Sequence, residues 1–181
     1  VKPRKNFKRI LISFGGSDPT NETGKVLSAI KILKTNKQFL EVNVVIGKSD
    51  KNKHKIKQLC NSIPNAKFYQ NVYKIGKLMC KADLGVGAGG STIWEQFCLG
   101  LSTIVSIVAK HQQETTEALA KNEYLINSGM AKNLSVKKYV EIFENLDIKK
   151  LQKISKNSFK VVDGHGSTRV AKKIRLLQST C

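Results

Sequence analysis

Two short segments of this chain hold residue types suited to gripping an anion. Gly15-Gly16-Ser17-Asp18-Pro19-Thr20-Asn21 follows the apolar run RILISF at 9–14. Paired glycines after a strand let the backbone come close to a ligand, and a helix starting behind them presents N–H groups and a positive dipole end. The plain alternative is an ordinary strand-to-helix turn, with Asp18 or Thr20 as the N-cap and Pro19 at the first helical position. The second segment, Gly87-Ala88-Gly89-Gly90-Ser91-Thr92, again separates an apolar run from a helical pattern. Amides at a glycine-rich helix start suit a diphosphate, and Ser91 and Thr92 add hydroxyl donors. Glu95, one turn on, would repel a phosphate but suits the paired hydroxyls of a ribose. Here the alternative is a capping box closed by Glu95, although Gly85, Gly87, Gly89 and Gly90 together exceed what a cap needs.

Two further loops are candidates. Lys110, His111 and Gln112, after the run TIVSIV at 103–108, could face a sugar or a phosphate, although a lone histidine is more often structural. Tyr69-Gln70-Asn71-Val72 offers backbone amides to a base edge. Gly85, Gly87 and Gly90 spell G-x-G-x-x-G, but that fingerprint expects an acidic residue about twenty positions on, and 102–112 holds none. Gly47-Lys48-Ser49 hints at a phosphate loop, but Val42 stands where the earlier glycine belongs. His54 and His165 have no partner visible in the sequence. There is no nucleophile elbow, close carboxylate pair or metal-ligand spacing. Neither a metal, a cofactor nor a catalytic group is expected within this chain.

The surrounding pattern alternates short apolar runs with longer amphipathic stretches. Strands are predicted at 9–14, 42–46, 66–69, 83–86 and 103–108, with a brief one at 130–132. Helices are predicted at 20–34, 51–63, 75–80, 91–99 and 113–127, and from Ser135, Asp147 and Ser167. Such alternation means βαβ units, and apolar runs without period-two alternation mean strands covered on both sides. The expected fold is α/β, a Rossmann-like three-layer parallel sheet. Ligands of such sheets bind at the carboxyl ends of the strands, where all four loops lie.

The 181 residues are the size of one domain, with 40% hydrophobic content to build a core. Residues 1–8 read as an interdomain linker, 9–162 as the ligand-binding domain, and 163–181 as a terminal helix packing back toward a further domain. The chain opens on Val1, and is expected to begin inside a longer protein. No apolar run reaches 18 residues, so no membrane span is expected. Cys60, Cys80, Cys98 and Cys181 form no C-x-x-C pair and fit a reducing cytoplasm. The formal charge is +19, yet only four of 32 basic residues are arginine (Arg4, Arg9, Arg169, Arg175). Base and phosphate recognition favours arginine's bidentate fork, so nucleic acid is disfavoured. A lysine surface that attracts anions in general is the simpler account.

Taken together, ILISFGGSDPTNET (10–23), AGGSTIWE (88–95) with CLGL (98–101), and DGHGSTRV (163–170) resemble the UDP-sugar hydrolases of pseudaminic acid synthesis. They are similar too to proteins of spore-coat polysaccharide synthesis, and more distantly to the donor-binding half of the lipid II N-acetylglucosaminyltransferase. The resemblance implies the C-terminal half of a two-domain GT-B enzyme whose partner is UDP or a UDP-sugar. It implies further that an N-terminal half outside this chain brings the catalytic histidine, and that no metal is needed. On this resemblance Gly16, Ser17 and Asn21 belong to the first cleft loop. Gly89, Gly90, Ser91 and Thr92 hold the diphosphate, Glu95 the ribose, and Asn71 with Val72 the uracil. Asn21, His111 and Gln112 face the sugar. Ser102 stands where relatives usually place Pro, and His111 where Asn is common. Two other readings stay open: the donor-binding domain of a GT-B glycosyltransferase, and a non-enzymatic polyanion-binding module.

Overall fold

The computed structural model describes residues 7–33 and 41–178. Six parallel strands form one sheet in the order β3-β2-β1-β4-β5-β6. They are β1 (Arg9–Ser13), β2 (Glu41–Ile46), β3 (Ala66–Gln70), β4 (Leu84–Ala88), β5 (Ser102–Ile107) and β6 (Ile126–Met130). The helices are α1 (Glu22–Ile32), α2 (Lys53–Asn61), α3 (Gly76–Lys81), α4 (Thr92–Cys98), α5 (Gln113–Lys121), α6 (Val136–Glu144), α7 (Ile148–Phe159) and α8 (Gly166–Gln178).

Apolar residues at successive positions of the central strands need cover on both faces, and the helices provide it. Ile10 and Ile12 of β1 pack with Val26, Leu27, Ile56 and Phe143 on one side. Leu11, between them in sequence, packs with Met79 and Ala82 on the other. In the same way Ile104 faces the first cluster while Val105 meets Ile93, Phe97 and Leu119. Helices α1, α2 and α6 thus cover one face and α3, α4 and α5 the other, the doubly wound arrangement expected from the alternation.

The differences from the sequence reading have local causes. The helix expected at 113–127 ends at Lys121, because Glu123 takes a left-handed φ of 56° and turns the chain into β6. Strand β6 accordingly runs from Ile126 to Met130, and 131–133 form a 3-10 turn instead of a strand. Of the expected linker, residues 1–6 lie outside the described residues, whereas Phe7 packs on the core and the Lys8 carbonyl accepts from Glu41 N. Lys34 and Cys181 also fall outside. Helix α8 has no buried residue and exposes Val170 and Ile174.

The pairing of β1 with β4 is clamped at its amino end. Asp83, 4% exposed, accepts from Arg9 N at 2.9 Å, Arg9 Nε at 3.1 Å and Arg9 Nη2 at 2.8 Å. Asp83 N donates in turn to the Arg9 carbonyl at 2.7 Å. Buried acceptors of this kind are costly to lose, but Arg9 is half in water, which lowers the cost below that of a fully buried pair. Asp83→Ala is therefore expected to destabilise by about 2 kcal/mol, read as a urea midpoint lowered by about 1 M at unchanged slope.

Candidate functional site

In a sheet of this order, the winding reverses between β1 and β4, and their carboxyl ends open onto the crevice where such folds bind ligands. The two glycine segments leave the sheet at those two ends. Ser13 is in register with Gly87, so both loops start at the same level. A Cβ on Gly87 would stand 2.4 Å from the Ser13 carbonyl oxygen, so only glycine permits this approach. Gly85 likewise lies under Gln96 and Thr103 inside the strand. The apparent dinucleotide fingerprint is thus strand packing in its first two glycines. Gly47 has a similar explanation: a Cβ there would stand 2.0 Å from the Gly16 oxygen, so the loop after β2 lies backbone to backbone on the first glycine segment.

The two junctions differ in what they leave free. Asp18, buried and at φ 37°, sends its carboxylate back to Glu22 N at 2.9 Å and Thr23 N at 2.8 Å. The start of α1 is therefore plugged by a side chain of its own chain. Asn21, and not Asp18 or Thr20, occupies the N-cap, at a left-handed φ of 53° and without a side-chain cap bond. Pro19 sits ahead of the first helical turn. What remains on this side is the loop itself: Gly15, Gly16 and Ser17 are exposed, and their amides donate to no acceptor among the described residues. The Asn21 side chain lies along α1, within 2.6 Å of where a Gly24 Cβ would be, and its Oδ1 is buried without a partner.

At the second junction the helix start is open. Gly89 N donates to the Ser106 carbonyl at 3.2 Å, but Gly90, Ser91 and Thr92 N–H groups find no acceptor among the described residues. Ser91 is the N-cap of α4 and makes no side-chain cap bond, so the capping box does not form and both hydroxyls are left over. Glu95, exposed, has no hydrogen-bond or ion-pair partner among the described residues.

The loop after β5 closes against this junction. Gln112 Oε1 accepts from Val108 N at 3.1 Å, which turns its amide nitrogen toward Gly90, 4.0 Å from that residue's Cβ position. Gln112 thus turns its N–H donors toward this junction. His111 is exposed in a 3-10 turn spanning Lys110–Gln112. Asn71, at φ 54°, ends the edge strand β3 and donates from its amide to the Ile46 carbonyl. It stands three strand spacings from β4, about 14 Å. Val72 then packs inward on the Leu11 cluster, and the chain returns so that Gly76 lines the same cleft as Glu95.

That cleft, about 400 Å³, was not foreseen from the sequence. Trp94, Met79, Cys98 and Leu99 form its apolar wall, and Gly164 and Gly166 of the turn before α8 close one side. Trp94 is 39% exposed and meets Phe97 edge to face at 5.7 Å. The one available signal was the adjacency of Trp94 to Glu95 on a short helix whose buried residues are Ile93, Gln96 and Phe97. A buried polar set behind the loops also went unseen, because Glu22 and Tyr139 are 117 positions apart.

Gly89 is constrained by side chains where Gly47 and Gly87 are constrained by backbone. A Cβ there would meet Thr116 Oγ1 at 2.6 Å and Gln112 Cβ at 3.1 Å. The Thr116 hydroxyl is itself buried without a partner. Gly89→Ala is expected to cost about 1–3 kcal/mol by overpacking, and Thr116→Ala in the same chain to recover part of that loss. Urea midpoints of the four chains of the cycle check this; an equal penalty in both backgrounds would clear Thr116 as the obstacle.

Residues 10–167 match the glycosyltransferase family 28 C-terminal domain. The chain is 26% identical over 127 residues to the spore coat polysaccharide biosynthesis protein SpsG of Bacillus subtilis, covering 70% of this chain and 37% of that protein. It is 34% identical over 113 residues to an uncharacterised protein of Methanocaldococcus jannaschii, covering 61% of this chain and 23% of that one. The chain thus spans well under half the length of these curated relatives. Among solved structures it is similar to MurG of Acinetobacter baumannii, with a TM-score of 0.73 at 16% identity over 94% of this chain and 50% of that one. It is also similar to Anabaena Alr3699/HepE in complex with UDP-glucose, with a TM-score of 0.69 at 14% identity over 97% of this chain and 49% of that one. At such identities these structures speak for the fold, that of the GT-B glycosyltransferases. With most of its length matched, the chain belongs to the glycosyltransferase family 28 C-terminal domain family.

Proposed function

We propose that this chain is the nucleotide-sugar-binding half of a UDP-sugar hydrolase in nonulosonic acid or surface polysaccharide synthesis. The observation that carries the binding reading is the open start of α4 at the switch point: three unengaged amides and two unused hydroxyls beside the exposed amides of Gly15 to Ser17. In this reading Gly90, Ser91 and Thr92 donate to the diphosphate, with Gly89 shaping the turn and Gly16 and Ser17 closing from the β1 side. Gln112 donates from its amide nitrogen to the same group or to the sugar, with His111 and Asn21 at the sugar's rim. Glu95 accepts from the ribose hydroxyls, and the segment from Asn71 and Val72 to Gly76 borders the uracil.

When water attacks the anomeric carbon, negative charge gathers on the departing UDP. Fixed amides and the helix end stabilise that charge without having to reorient. The activating base lies outside this chain in the proposal, on the enzyme's other half, which also covers the exposed apolar side of α8. Support for a longer enzyme comes from the share of each relative that the chain spans. Support for UDP comes from the solved neighbour bound to UDP-glucose. That neighbour and MurG favour a second reading, donor binding in a glycosyl transfer. Product analysis of the full-length enzyme without an acceptor separates the two: stoichiometric free sugar and UDP mark the hydrolase, and no turnover marks the transferase.

Trp94 is the only tryptophan of the chain and lines the cleft beside Glu95, so nucleotide binding is expected to change its emission. UDP should raise the melting temperature more than GDP or CDP, with about 2.7 kcal/mol gained at a hundredfold excess over Kd. Glu95→Ala should weaken UDP by at least about tenfold, a charged hydrogen bond being worth ~1.5–3 kcal/mol. Equal shifts by all three nucleotides, or binding of heparin that collapses with salt and ignores Glu95→Ala, would point to a polyanion module instead.

A further inference from the structure

The Glu22 carboxylate, in the first turn of α1, is fully buried. A buried charge is tolerated only when paired and hydrogen-bonded. One of its oxygens takes Lys25 Nζ at 2.6 Å, and that ammonium also donates to the Ala131 carbonyl at 3.1 Å. The other takes the Tyr139 hydroxyl at 2.6 Å. Tyr139 comes from α6, and its oxygen lies 2.7 Å from Ser106 Oγ, which in turn lies 2.8 Å from Ser128 Oγ. A carboxylate only accepts, so the phenol donates to Glu22 and keeps its lone pairs for the Ser106 hydroxyl. Burial first, and then the bond to Glu22, hold the phenol well above its ordinary range, so this proton stays on Tyr139. Ser106 and Tyr139 thus form a directed pair ending on the carboxylate, while Ser128 Oγ donates to the Val105 carbonyl at 3.0 Å.

Both ends of this linkage reach the glycine segments. Glu22 N is held by Asp18, which closes the first loop, and the Ser106 carbonyl accepts from Gly89 N in the second. Ser106 therefore holds Tyr139 with its side chain and Gly89 with its backbone. We propose that Tyr139 is a positioning residue for the candidate diphosphate site. Through Glu22 on one side and Ser106 on the other it sets the spacing of the two loops, without touching the ligand. The inference rests on the nucleotide reading of those loops for its consequence, but not for the coupling itself.

Tyr139→Phe keeps the buried ring while leaving Glu22 one donor short and Ser106 without its acceptor. In the ligand-free 181-residue chain, amide exchange at Gly89 should accelerate by about tenfold relative to the core amides of β1. UDP affinity should fall by about tenfold while that of uridine, which lacks phosphates, stays within about twofold. Ser102→Ala is the control: it deletes a buried bond of similar length, Ser102 Oγ to the Leu151 carbonyl at 2.6 Å, at the opposite end of β5. It should lower stability yet leave Gly89 exchange and the UDP-to-uridine ratio alone. Unchanged Gly89 exchange and an unchanged ratio in Tyr139→Phe, or equal changes in Ser102→Ala, would overturn the proposal. If the unaltered chain binds no UDP, the nucleotide reading falls by itself, and Gly89 exchange alone decides for or against the coupling.

Discussion

Where β1 pairs with β4, the sheet reverses its winding, and everything that could hold a ligand follows from how closely those two strands run. Asp83 ties their amino ends through the Arg9 backbone and guanidinium. At the carboxyl ends, Gly87 admits the Ser13 carbonyl at a distance no side chain would allow. The constraint is steric at one end and electrostatic at the other. Between them the register is set, and the two glycine segments emerge side by side. Strand pairing alone would bring any two neighbours to about 4.8 Å; the absence of a Cβ at the rim keeps the crevice floor made of backbone.

The two segments then part company in charge. In a chain of formal charge +19, the first helix start is occupied by its own carboxylates, Asp18 on the amides and Glu22 buried just behind. An incoming phosphate would meet negative charge there. The second start has no side-chain cap on its amides, and its one first-turn acid, Glu95, is exposed and makes no cap bond. Similar glycine signatures thus end differently: the β1 helix start is filled by its own carboxylates, while the amides of Gly90, Ser91 and Thr92 on the β4 side have no acceptor among the described residues. The left-handed backbone of Asp18, Asn21 and Asn71 falls in these carboxyl-end loops. Asn and Asp tolerate that region better than most residues, and such conformations concentrate where a loop must hold a set shape.

Cover is uneven across the molecule. The sheet is dressed on both faces, yet α8 buries nothing and leaves Val170, Ile174, Leu176 and Leu177 exposed. An amphipathic helix of this kind gains its stability by burying its apolar side. The turn that launches it, Gly164 to Gly166, also walls the cleft beside Glu95, so whatever fixes α8 also bears on that wall. Gly164 is held to glycine by its φ of 75° and by Cys98 Sγ, 3.0 Å from its Cβ position.

The sequence by itself determined the layer architecture, because runs such as Ile10-Leu11-Ile12 and Val44-Val45-Ile46 are apolar at successive positions and rest between two helical layers. It marked the glycine segments by composition, but the contacts that hold Gly47 and Gly87 to glycine are with backbone of neighbouring elements and came only from the fold. Strand order, and with it the emergence of the two glycine segments from adjacent strand ends, came from the tertiary structure, because pairing is chosen by packing between elements some seventy residues apart. The same holds for Asp18: its composition fits a cap or a ligand contact equally, and only the folded loop turns its carboxylate onto α1. The capping box went the other way: its spacing runs from Thr92 to Glu95, but the helix takes Ser91 as N-cap, which leaves Glu95 one position too far on to close the box. Glu22, Tyr139 and Ser106 meet from three distant elements, and no local pattern announces such a set, since a buried charge has no periodicity of its own and is tolerated only where the fold supplies its partners.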